Sequence, residues 1–281
     1  MVKSSSIPRP RLAVLFWFYT DAQLCRNHIE LFRQTNPDTV VYGLYGGKPE
    51  HEQEFRAVLG PYLADFYTSP ETDSKRKWRH GDLMIADWYR QRGQHLEWQS
   101  IFVLQWDALV FANLDTLFHK RRPDQLFFSG YKPITTDMIE HWYWTSSQQP
   151  KERALYERFQ RSVRQAYPQA TEQSDCWHMC VFVFEILTRT FLNQYATLPD
   201  PELGFLEYKI ATYAHLWGYD VYTHSVGLYG KQDDLTLEEP VNALGKEISD
   251  ELIMKSLQDP DGWRLFHPYF KEWKLSASAN E

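Results

Sequence analysis

An aspartate follows a short apolar run near the middle of the chain. Residues 101–104 are uninterrupted apolar sequence, typical of a strand buried on both faces of a parallel sheet, and the run ends at Gln105-Trp106-Asp107. Ligands of open α/β sheets bind beyond the carboxyl ends of the strands. Asp107 is therefore a candidate ligand for a hard cation or a polar group. The alternative is that Asp107 only caps the following turn, a position that Asp favours.

A basic segment lies shortly before this strand. Residues 74–80 carry four cations, among them Lys77 and Arg79, and they precede apolar positions spaced as in a helix. Cations beside a helix N-terminus, where backbone N–H groups point outward, suit a phosphate. The alternative is a solvated run of charge with no ligand.

Two further candidates stand in the second half of the chain. Glu207 opens a helical pattern that stops at Gly218, and the helix dipole favours an anion at that position. An acid in a first turn is common for that reason alone. His267 lies between Phe266 and Pro268, where the restricted backbone suits a ligand, although a single His is more often structural.

Aromatic residues make up 16% of the chain, with 11 Trp and 17 Tyr. Most of these rings are expected in the core, but Tyr and Trp also combine an apolar face with a hydrogen-bonding edge, which suits stacking on sugars or nucleosides. Residues 141–144 place four rings in a row on an expected loop, where apolar area must either pack or receive a ligand. We expect two or three of these rings to pack.

Apolar runs separated by helical patterns predict the elements that hold these residues. Leu12–Phe18 and residues 40–45 are typical of strands on either side of a helix, which makes residues 12–45 a βαβ unit. No G-x-G-x-x-G follows the first strand and no G-x-x-x-x-G-K-[ST] occurs, so the sequence has neither a dinucleotide fingerprint nor a P-loop. Further strands are expected at residues 63–67, 101–104, 126–129, 180–184 and 219–223, and further helices at 50–59, 83–93, 151–167, 186–196, 207–218 and 248–257.

Composition and charge limit the classes of function. The chain has 281 residues, is 43% hydrophobic and shows no repeat or linker, so residues 1–281 are expected to form a single domain with loose tails at 1–11 and 274–281. The net charge is −7, with no broad cationic surface. We therefore expect no nucleic acid partner.

Cysteine usage and the N-terminal sequence indicate the compartment. Cys25, Cys176 and Cys180 are an odd number without a paired zinc spacing, which indicates a reducing environment; no fourth ligand stands near Cys176, His178 and Cys180, so zinc is not expected there. The apolar residues 12–19 are too few to span a membrane, and no small-residue cleavage site follows them. We expect a cytoplasmic protein without a transmembrane segment.

Three candidate residues, Asp107, Glu207 and His267, resemble the motifs of the nucleotide-sugar glycosyltransferases of GT-A fold and occur in the same order along the chain. Gln105-Trp106-Asp107 resembles the Asp-x-Asp motif of that family, with Asp107 at its second, metal-ligating position. Gln105 replaces the first Asp of the motif, which removes one negative charge.

The order of motifs and predicted elements resembles that of the family over most of the chain. Leu206-Glu207 is similar to the family's acidic pair at the start of a helix that ends in Gly, with Leu206 in place of the first acid. His267-Pro268 is similar to the C-terminal His that completes the family's metal site.

The resemblance implies a fold and a reaction. The fold is α/β, a single GT-A-like domain whose mostly parallel mixed central sheet is flanked by helices. The reaction moves a sugar from a UDP- or GDP-sugar to the hydroxyl of a saccharide, lipid or protein acceptor. A divalent cation, Mn²⁺ or Mg²⁺, stabilises the leaving diphosphate as a Lewis acid, and a His ligand favours Mn²⁺.

The resemblance also implies a role for each candidate. Asp107 and His267 bind the metal, and Glu207 is the general base, which implies inversion at the anomeric carbon. If Glu207 only orients the acceptor, the stereochemistry is open. The side chains expected to contact the nucleotide sugar are Tyr19, Asp21, Lys77, Arg79, Asp82, Gln105 and Trp106, and those expected to contact the acceptor are Trp142, Trp144 and Trp177.

Two other functions remain open. A GT-A-like domain that has lost activity and binds a saccharide or a partner is permitted by the missing first Asp of the motif. A nucleotidyltransferase of related fold is disfavoured, because the Gly- and Arg-rich loop of those enzymes is absent after the first strand.

Overall fold

The computed structural model describes residues 12–168, 176–223 and 240–274. The strands are β1 (Leu12–Phe18), β2 (Val41–Tyr45), β3 (Asp65–Thr68), β4 (Ser100–Gln105), β5 (Leu109–Val110), β6 (Lys132–Pro133), β7 (His178–Met179), β8 (Ile186–Thr188) and β9 (Leu265–Phe266). The helices are α1 (Ala22–Thr35), α2 (Glu52–Leu59), α3 (Ser74–Arg79), α4 (Gly81–Gln91), α5 (Leu114–Leu117), α6 (Thr136–His141), α7 (Pro150–Ala166), α8 (Arg189–Tyr195), α9 (Leu206–Leu216) and α10 (Asp250–Gln258).

A five-stranded sheet forms the centre, in the order β3-β2-β1-β4-β8. The first four strands are parallel and β8 runs antiparallel to β4. The predicted α/β class, with a mostly parallel mixed sheet between helices, is confirmed. The carboxyl ends of β1, β2 and β4 consequently lie along one edge of the sheet.

The side chains of β1 divide the core into two layers. Ala13, Leu15 and Trp17 pack on one face, together with apolar side chains of α4, α7, α8 and α9. Val14, Phe16 and Phe18 pack on the other face with α1 and α2. Side chains of a strand alternate between its two faces, so a strand covered by helices on both sides must be apolar throughout, as Leu12–Phe18 is.

A short ladder brings the C-terminal part of the chain to the sheet edge. β5 pairs antiparallel with β9, with Leu109 opposite Phe266 and Val110 opposite Leu265. The N–H group of Tyr269 donates to the carbonyl oxygen of Asp107 at 2.8 Å. These bonds place the residues just after β9 beside those just after β4.

Residues 180–184 turn instead of forming the predicted strand. The N–H group of Cys180 donates to the carbonyl of Glu207 at 3.0 Å, and that of Val181 donates to the carbonyl of Ser129 at 2.8 Å. Phe184 has a φ of 63°, which strand geometry does not allow. Since these partners belong to the helix α9 and to the turn at Ser129, rather than to one neighbouring strand, no ladder forms here.

The helix predicted for residues 186–196 begins later, at Arg189. Residues 186–188 are instead the strand β8, which pairs with β4. The hydroxyl of Thr188 caps α8 by accepting from the N–H group of Phe191 at 3.2 Å. The strands predicted at residues 126–129 and 219–223 are reduced to isolated bridges, Leu126 with Val221 and Phe127 with Ile186.

The predicted loose tails lie outside the described residues, apart from Lys274. That residues 1–281 form one domain stays a prediction. Within the described ranges, no helix combines the length and the apolar character needed to cross a bilayer.

Candidate active site

A cavity of about 920 Å³ opens at the sheet edge where β1, β2 and β4 end. Its walls come from residues just after these strands, from α3, from the loop after α6, from the start of α9 and from the segment after β9. Most of the side chains proposed from the sequence line it: Tyr19, Lys77, Gln105, Trp106, Asp107, Trp142, Trp144, Glu207 and His267.

Asp107 and His267 face each other in this cavity. Oδ1 of Asp107 lies 3.4 Å from Nε2 of His267, and both side chains are largely buried. The β5–β9 ladder begins two residues after Asp107 and ends immediately before His267, so it aligns the two side chains. The tertiary structure thus joins two candidate ligands that are distant in sequence.

The hydrogen bonds around this pair define its chemistry. Nδ1 of His267 lies 2.8 Å from the carbonyl oxygen of Asn242, so Nδ1 carries the ring proton and donates it. A neutral ring then points the lone pair of Nε2 at the carboxylate. Oδ1 of Asp107 is buried and has no hydrogen-bond partner among the described residues. The carboxylate oxygen of Asp107 and Nε2 of His267 then face each other with their lone pairs, and both are buried. A positive charge must lie between them, either a proton on Nε2 or a metal cation.

The donor set fits a metal that accepts both oxygen and nitrogen. Carboxylate and imidazole together suit Mn²⁺, and Nδ1 is held by a carbonyl, as is usual for a metal-binding His. Among residues 12–168, 176–223 and 240–274, no group of three or more His, Cys, Asp or Glu side chains could hold a metal ion. This pair would therefore need further ligands from elsewhere.

Glu207 stands in the first turn of α9 and lines the cavity with only 8% of its surface exposed. Burial raises the pKa of its carboxyl to about 7, against the smaller opposing effect of a hydrogen bond from the backbone of Phe182. A carboxyl with this pKa exchanges its proton near neutral pH, which suits a general base.

Gln105, Trp106 and Tyr19 form the wall beside Asp107. Nε2 of Gln105 donates to the carbonyl oxygen of Phe182 at 2.8 Å, which leaves its amide oxygen as an acceptor. The ring of Tyr19 is 45% exposed and meets the ring of Trp106 edge-on, with centroids 5.6 Å apart. Open ring area beside an amide acceptor could take a base and a ribose.

Lys77 brings a cation to the cavity from α3. Its Nζ donates to the carbonyl oxygen of Gly46 at 2.6 Å, and burial lowers the pKa of this amine. Arg79, two residues on, does not line the cavity. Its guanidinium binds the carboxylate of Glu152 in α7, with Nη1 at 3.2 Å from Oε1. Arg79 also lies over the ring of Trp144, which lines the cavity, at 5.8 Å from the ring centroid. Its contact with a nucleotide sugar stays a prediction.

Asp21 and Trp177 also lie outside the cavity. Asp21 caps α1, since its Oδ1 accepts from the N–H groups of Gln23 and Leu24 at 3.0 and 3.1 Å. Trp177 is buried beside Phe159, with ring centroids 6.2 Å apart. Each of these side chains has a complete structural role in a helix cap or in the core.

Asp82 likewise lies in the core rather than in the cavity. Its Oδ2 lies 2.8 Å from Nζ of Lys209 and accepts from the hydroxyl of Tyr195 at 2.5 Å. The side chains of Asp82 and Lys209 are fully buried. Asp82, in the first turn of α4, therefore belongs to a buried ion pair between helices.

An aromatic cluster forms another wall of the cavity. Trp144 stacks on Phe205 with centroids 3.6 Å apart, and Trp78 lies 5.4 Å from Trp144. Trp142 packs edge-on against the buried Tyr208 at 6.3 Å, whereas Tyr143 stays exposed. Within residues 141–144, two rings therefore pack, as expected.

Several cavity residues were not foreseen, among them Lys48, Trp78, Phe205, Ala243, Leu244 and Phe270. The sequence held a signal for two of them, because Trp78 lies inside the basic segment and Phe205 stands two residues before Glu207. Nothing in the pattern around the other four marks them.

No family model and no curated protein sequence matches the chain. Solved structures do match. An active-site mutant of LgtC is 10% identical, with 75% of this chain and 72% of that chain covered and a TM-score of 0.41. A cytidylyltransferase from Leptospira borgpetersenii is 10% identical, with 73% and 71% covered and a TM-score of 0.38.

The bifunctional glycosyltransferase WbbM, without ligand, is 9% identical over 94% of this chain and 46% of that chain, with a TM-score of 0.45. WbbM is thus of the kind of protein that the sequence resembles. All three TM-scores are below 0.5, so these likenesses carry no information about function.

Proposed function

We propose that this chain is a glycosyltransferase that moves a sugar from a UDP- or GDP-sugar to an acceptor hydroxyl. The observation that carries the proposal is the content of one cavity. A buried carboxylate faces an imidazole across 3.4 Å, a second buried carboxyl has a pKa of about 7, and a lysine enters from α3. Transfer from a diphosphate sugar needs a place for the charged leaving group and a base for the acceptor, and these groups match both needs.

Asp107 and His267 are the residues that would hold Mn²⁺ or Mg²⁺. A bound cation supplies Lewis-acid stabilisation of the diphosphate as the glycosidic bond breaks. Asp107 offers the unpartnered Oδ1, and the hydrogen bond from Nδ1 of His267 to the carbonyl oxygen of Asn242 aims Nε2 at this oxygen. With two protein ligands, the remaining coordination positions fall to phosphate oxygens and water.

The nucleotide end of the donor would lie along the strand ends. Lys77 adds positive charge for the phosphates, and its held position beside Gly46 limits the entropy lost on binding. The amide oxygen of Gln105 accepts from a ribose hydroxyl, which requires no negative charge at this position. Tyr19 and Trp106 provide ring surface for the base.

Glu207 would act as the general base on the acceptor hydroxyl. Its raised pKa makes the carboxylate a stronger base while still leaving it largely ionised slightly above neutral pH. Direct deprotonation by Glu207 implies inversion at the anomeric carbon. Trp142 and Trp144 bound the acceptor side of the same cavity. A cytoplasmic location is part of the proposal and is supported by three free cysteines.

Thermal unfolding with UDP or GDP, each with and without Mn²⁺, tests the donor site. One of the two nucleotides is expected to raise Tm only when Mn²⁺ is present, because a ligand bound by the native state alone stabilises it by mass action. Asp107→Asn should abolish this metal-dependent shift. Asp21→Asn makes the same chemical change at a helix cap outside the cavity, where Asn also caps, and should retain the shift.

The opposite pattern would contradict the proposal. A rise in Tm with free saccharides, and none with either nucleotide under any metal condition, would identify a saccharide-binding domain without transferase activity.

A further inference from the structure

Exposed apolar side chains are concentrated at one place on the surface. Among the described residues, six large apolar side chains are exposed, and five of them line the mouth of the active-site cavity: Tyr19 (45%), Trp78 (62%), Tyr143 (51%), Leu244 (83%) and Phe270 (42%). The sixth, Met254, lies in a separate small cleft beside α1 and α10. We call the five side chains the apolar rim.

On one side of the mouth, the backbone holds Leu244 out into water. Oδ1 of Asn242 accepts from the N–H groups of Leu244 and Lys246 at 3.0 and 3.3 Å, and Nδ2 of Asn242 donates to the carbonyl of Lys246 at 2.9 Å. The loop shape is therefore set by a side chain of the loop itself. The carbonyl of Asn242 also holds His267, so the exposed leucine and the candidate metal ligand share one support.

On the other side, Trp78 extends from α3 over the aromatic cluster. Its ring lies 5.4 Å from that of Trp144 and 5.9 Å from that of Phe205, and 62% of its surface remains open. Tyr143 stands edge-on to Trp144 at 4.8 Å and is also exposed. Apolar surface on both sides of one opening is unfavourable in water and marks a contact surface.

The composition of the rim indicates what covers it. A sugar ring stacks on flat aromatic faces, but Leu244, the most exposed member, has no flat face and gains only from hydrocarbon. The five side chains of the rim and Glu207 line the same cavity, so one occupant can cover the rim and reach Glu207. A molecule with a hydroxyl-bearing head and a hydrocarbon tail meets both conditions.

We propose that the acceptor is an amphiphile, with its hydroxyl head at Glu207 and its hydrocarbon chain lying across the apolar rim. This inference rests on the proposed transferase function and narrows its acceptor to one chemical class. The head enters the cavity and the tail covers Leu244 and Trp78 from outside.

Binding of n-alkyl β-D-glucosides below their micelle concentrations, measured by calorimetry, tests the inference. Affinity is expected to increase from methyl through hexyl to octyl glucoside, by up to about four-fold for each methylene that becomes fully buried. Leu244→Gln and Trp78→Gln should each weaken octyl glucoside binding by about ten-fold. Met254→Gln removes the exposed apolar side chain that lies away from the rim and should leave binding unchanged.

Three outcomes would overturn the inference. They are equal affinity for methyl and octyl glucoside, octyl glucoside binding that the two rim variants do not weaken, and a Tm of Leu244→Gln well below that of Met254→Gln, which would mean that the chain itself covers the leucine. The nucleotide shift of the unchanged chain separates the two proposals. If that shift is absent, the transferase proposal fails; if it is present without chain-length dependence, only the amphiphile fails.

Discussion

At the scale of single residues, Glu207 shows how two effects of position compete. The first turn of α9 favours an anion by about 0.3–1 kcal/mol. Burial acts in the opposite direction, and it raises the pKa from 4.5 to about 7, which corresponds to about 3 kcal/mol. Burial is the larger effect, so a position that looks suited to a permanent carboxylate holds one that titrates near neutral pH.

This shift makes a prediction for stability as well as activity. Between pH 4.5 and 7 the unfolded chain loses the proton of Glu207 before the folded chain does, so the wild type loses stability as pH rises through this window and levels off above it. Glu207→Gln cannot ionise. Relative to wild type, its free energy of unfolding should rise by about 3 kcal/mol from pH 4.5 to pH 8, measured by urea unfolding.

The same variant should separate binding from turnover. Glu207→Gln is expected to keep the metal-dependent nucleotide shift and to lose sugar transfer, because it retains the shape of the side chain without its basicity.

Glu202→Gln is the matched control for the stability prediction. Arg76 lowers the pKa of Glu202, so that variant should lose stability relative to wild type at higher pH. A Glu207→Gln variant that follows the control would contradict the buried position of Glu207.

At the scale of elements, α4 and α9 are joined by a buried ion pair. Asp82 in α4 and Lys209 in α9 are fully buried, and Lys209 also donates to the carbonyl of Pro201 at 2.6 Å. Removing the lysine leaves a carboxylate without its charge partner inside the core. Lys209→Met should therefore destabilise the fold by about 3–5 kcal/mol, measured by urea unfolding.

Two further variants sharpen this prediction. Asp82→Asn combined with Lys209→Met should recover part of the loss, since the amide is neutral and still accepts from Tyr195. Arg92→Met breaks an exposed pair with Asp65 and should cost less than about 1 kcal/mol. If Lys209→Met costs no more than Arg92→Met, the pair is hydrated rather than buried.

The same helices hold the functional side chains. α9 carries Glu207 into the cavity at its first turn and Lys209 into the core two residues later. α3 directly precedes α4 in the chain. Lys77 of α3 faces the cavity, and Asp82 of α4 anchors that helix in the core. Destabilising the ion pair would thus loosen both walls of the site.

At the scale of the whole molecule, the site depends on segments far apart in sequence. The end of β4, the start of α9 and the segment after β9 meet at one sheet edge. His28 reinforces this arrangement from α1, with its ring nitrogens 2.6 and 3.0 Å from the carbonyl oxygens of Trp106 and Lys271. Ligand binding should therefore stabilise several of these segments together.

Hydrogen exchange gives the measurement. With Mn²⁺ and the nucleotide that raises Tm, amide exchange should slow together at residues 46–48, 74–78, 105–107 and 242–245. The helix Asp250–Gln258, which lines a different cleft, is the internal control and should not change. Slowing confined to one of the four segments would contradict a shared cavity.

Much of the fold was open to prediction because it depends on local physics. A strand covered on both faces must be apolar throughout, so Leu12–Phe18 and the run before Asp107 were recognisable. Residues 180–184 were misjudged because an equally apolar run serves a turn, whose backbone partners lie in α9 and in the turn at Ser129. Apolar content reports burial, and only the partners of the backbone decide between strand and turn.

For the site, the sequence by itself determined which chemistry was available: carboxylates, an imidazole and lysines beside strand and helix ends. The tertiary structure alone decided which of them act together. It paired Asp107 with His267 through a two-residue ladder that has no sequence signature, and it placed Asp21, Arg79, Asp82 and Trp177 in caps, ion pairs and core. The physical reason is that a side chain's role follows from its solvent and its partners in space, and the order of residues along a chain specifies neither until the chain has folded.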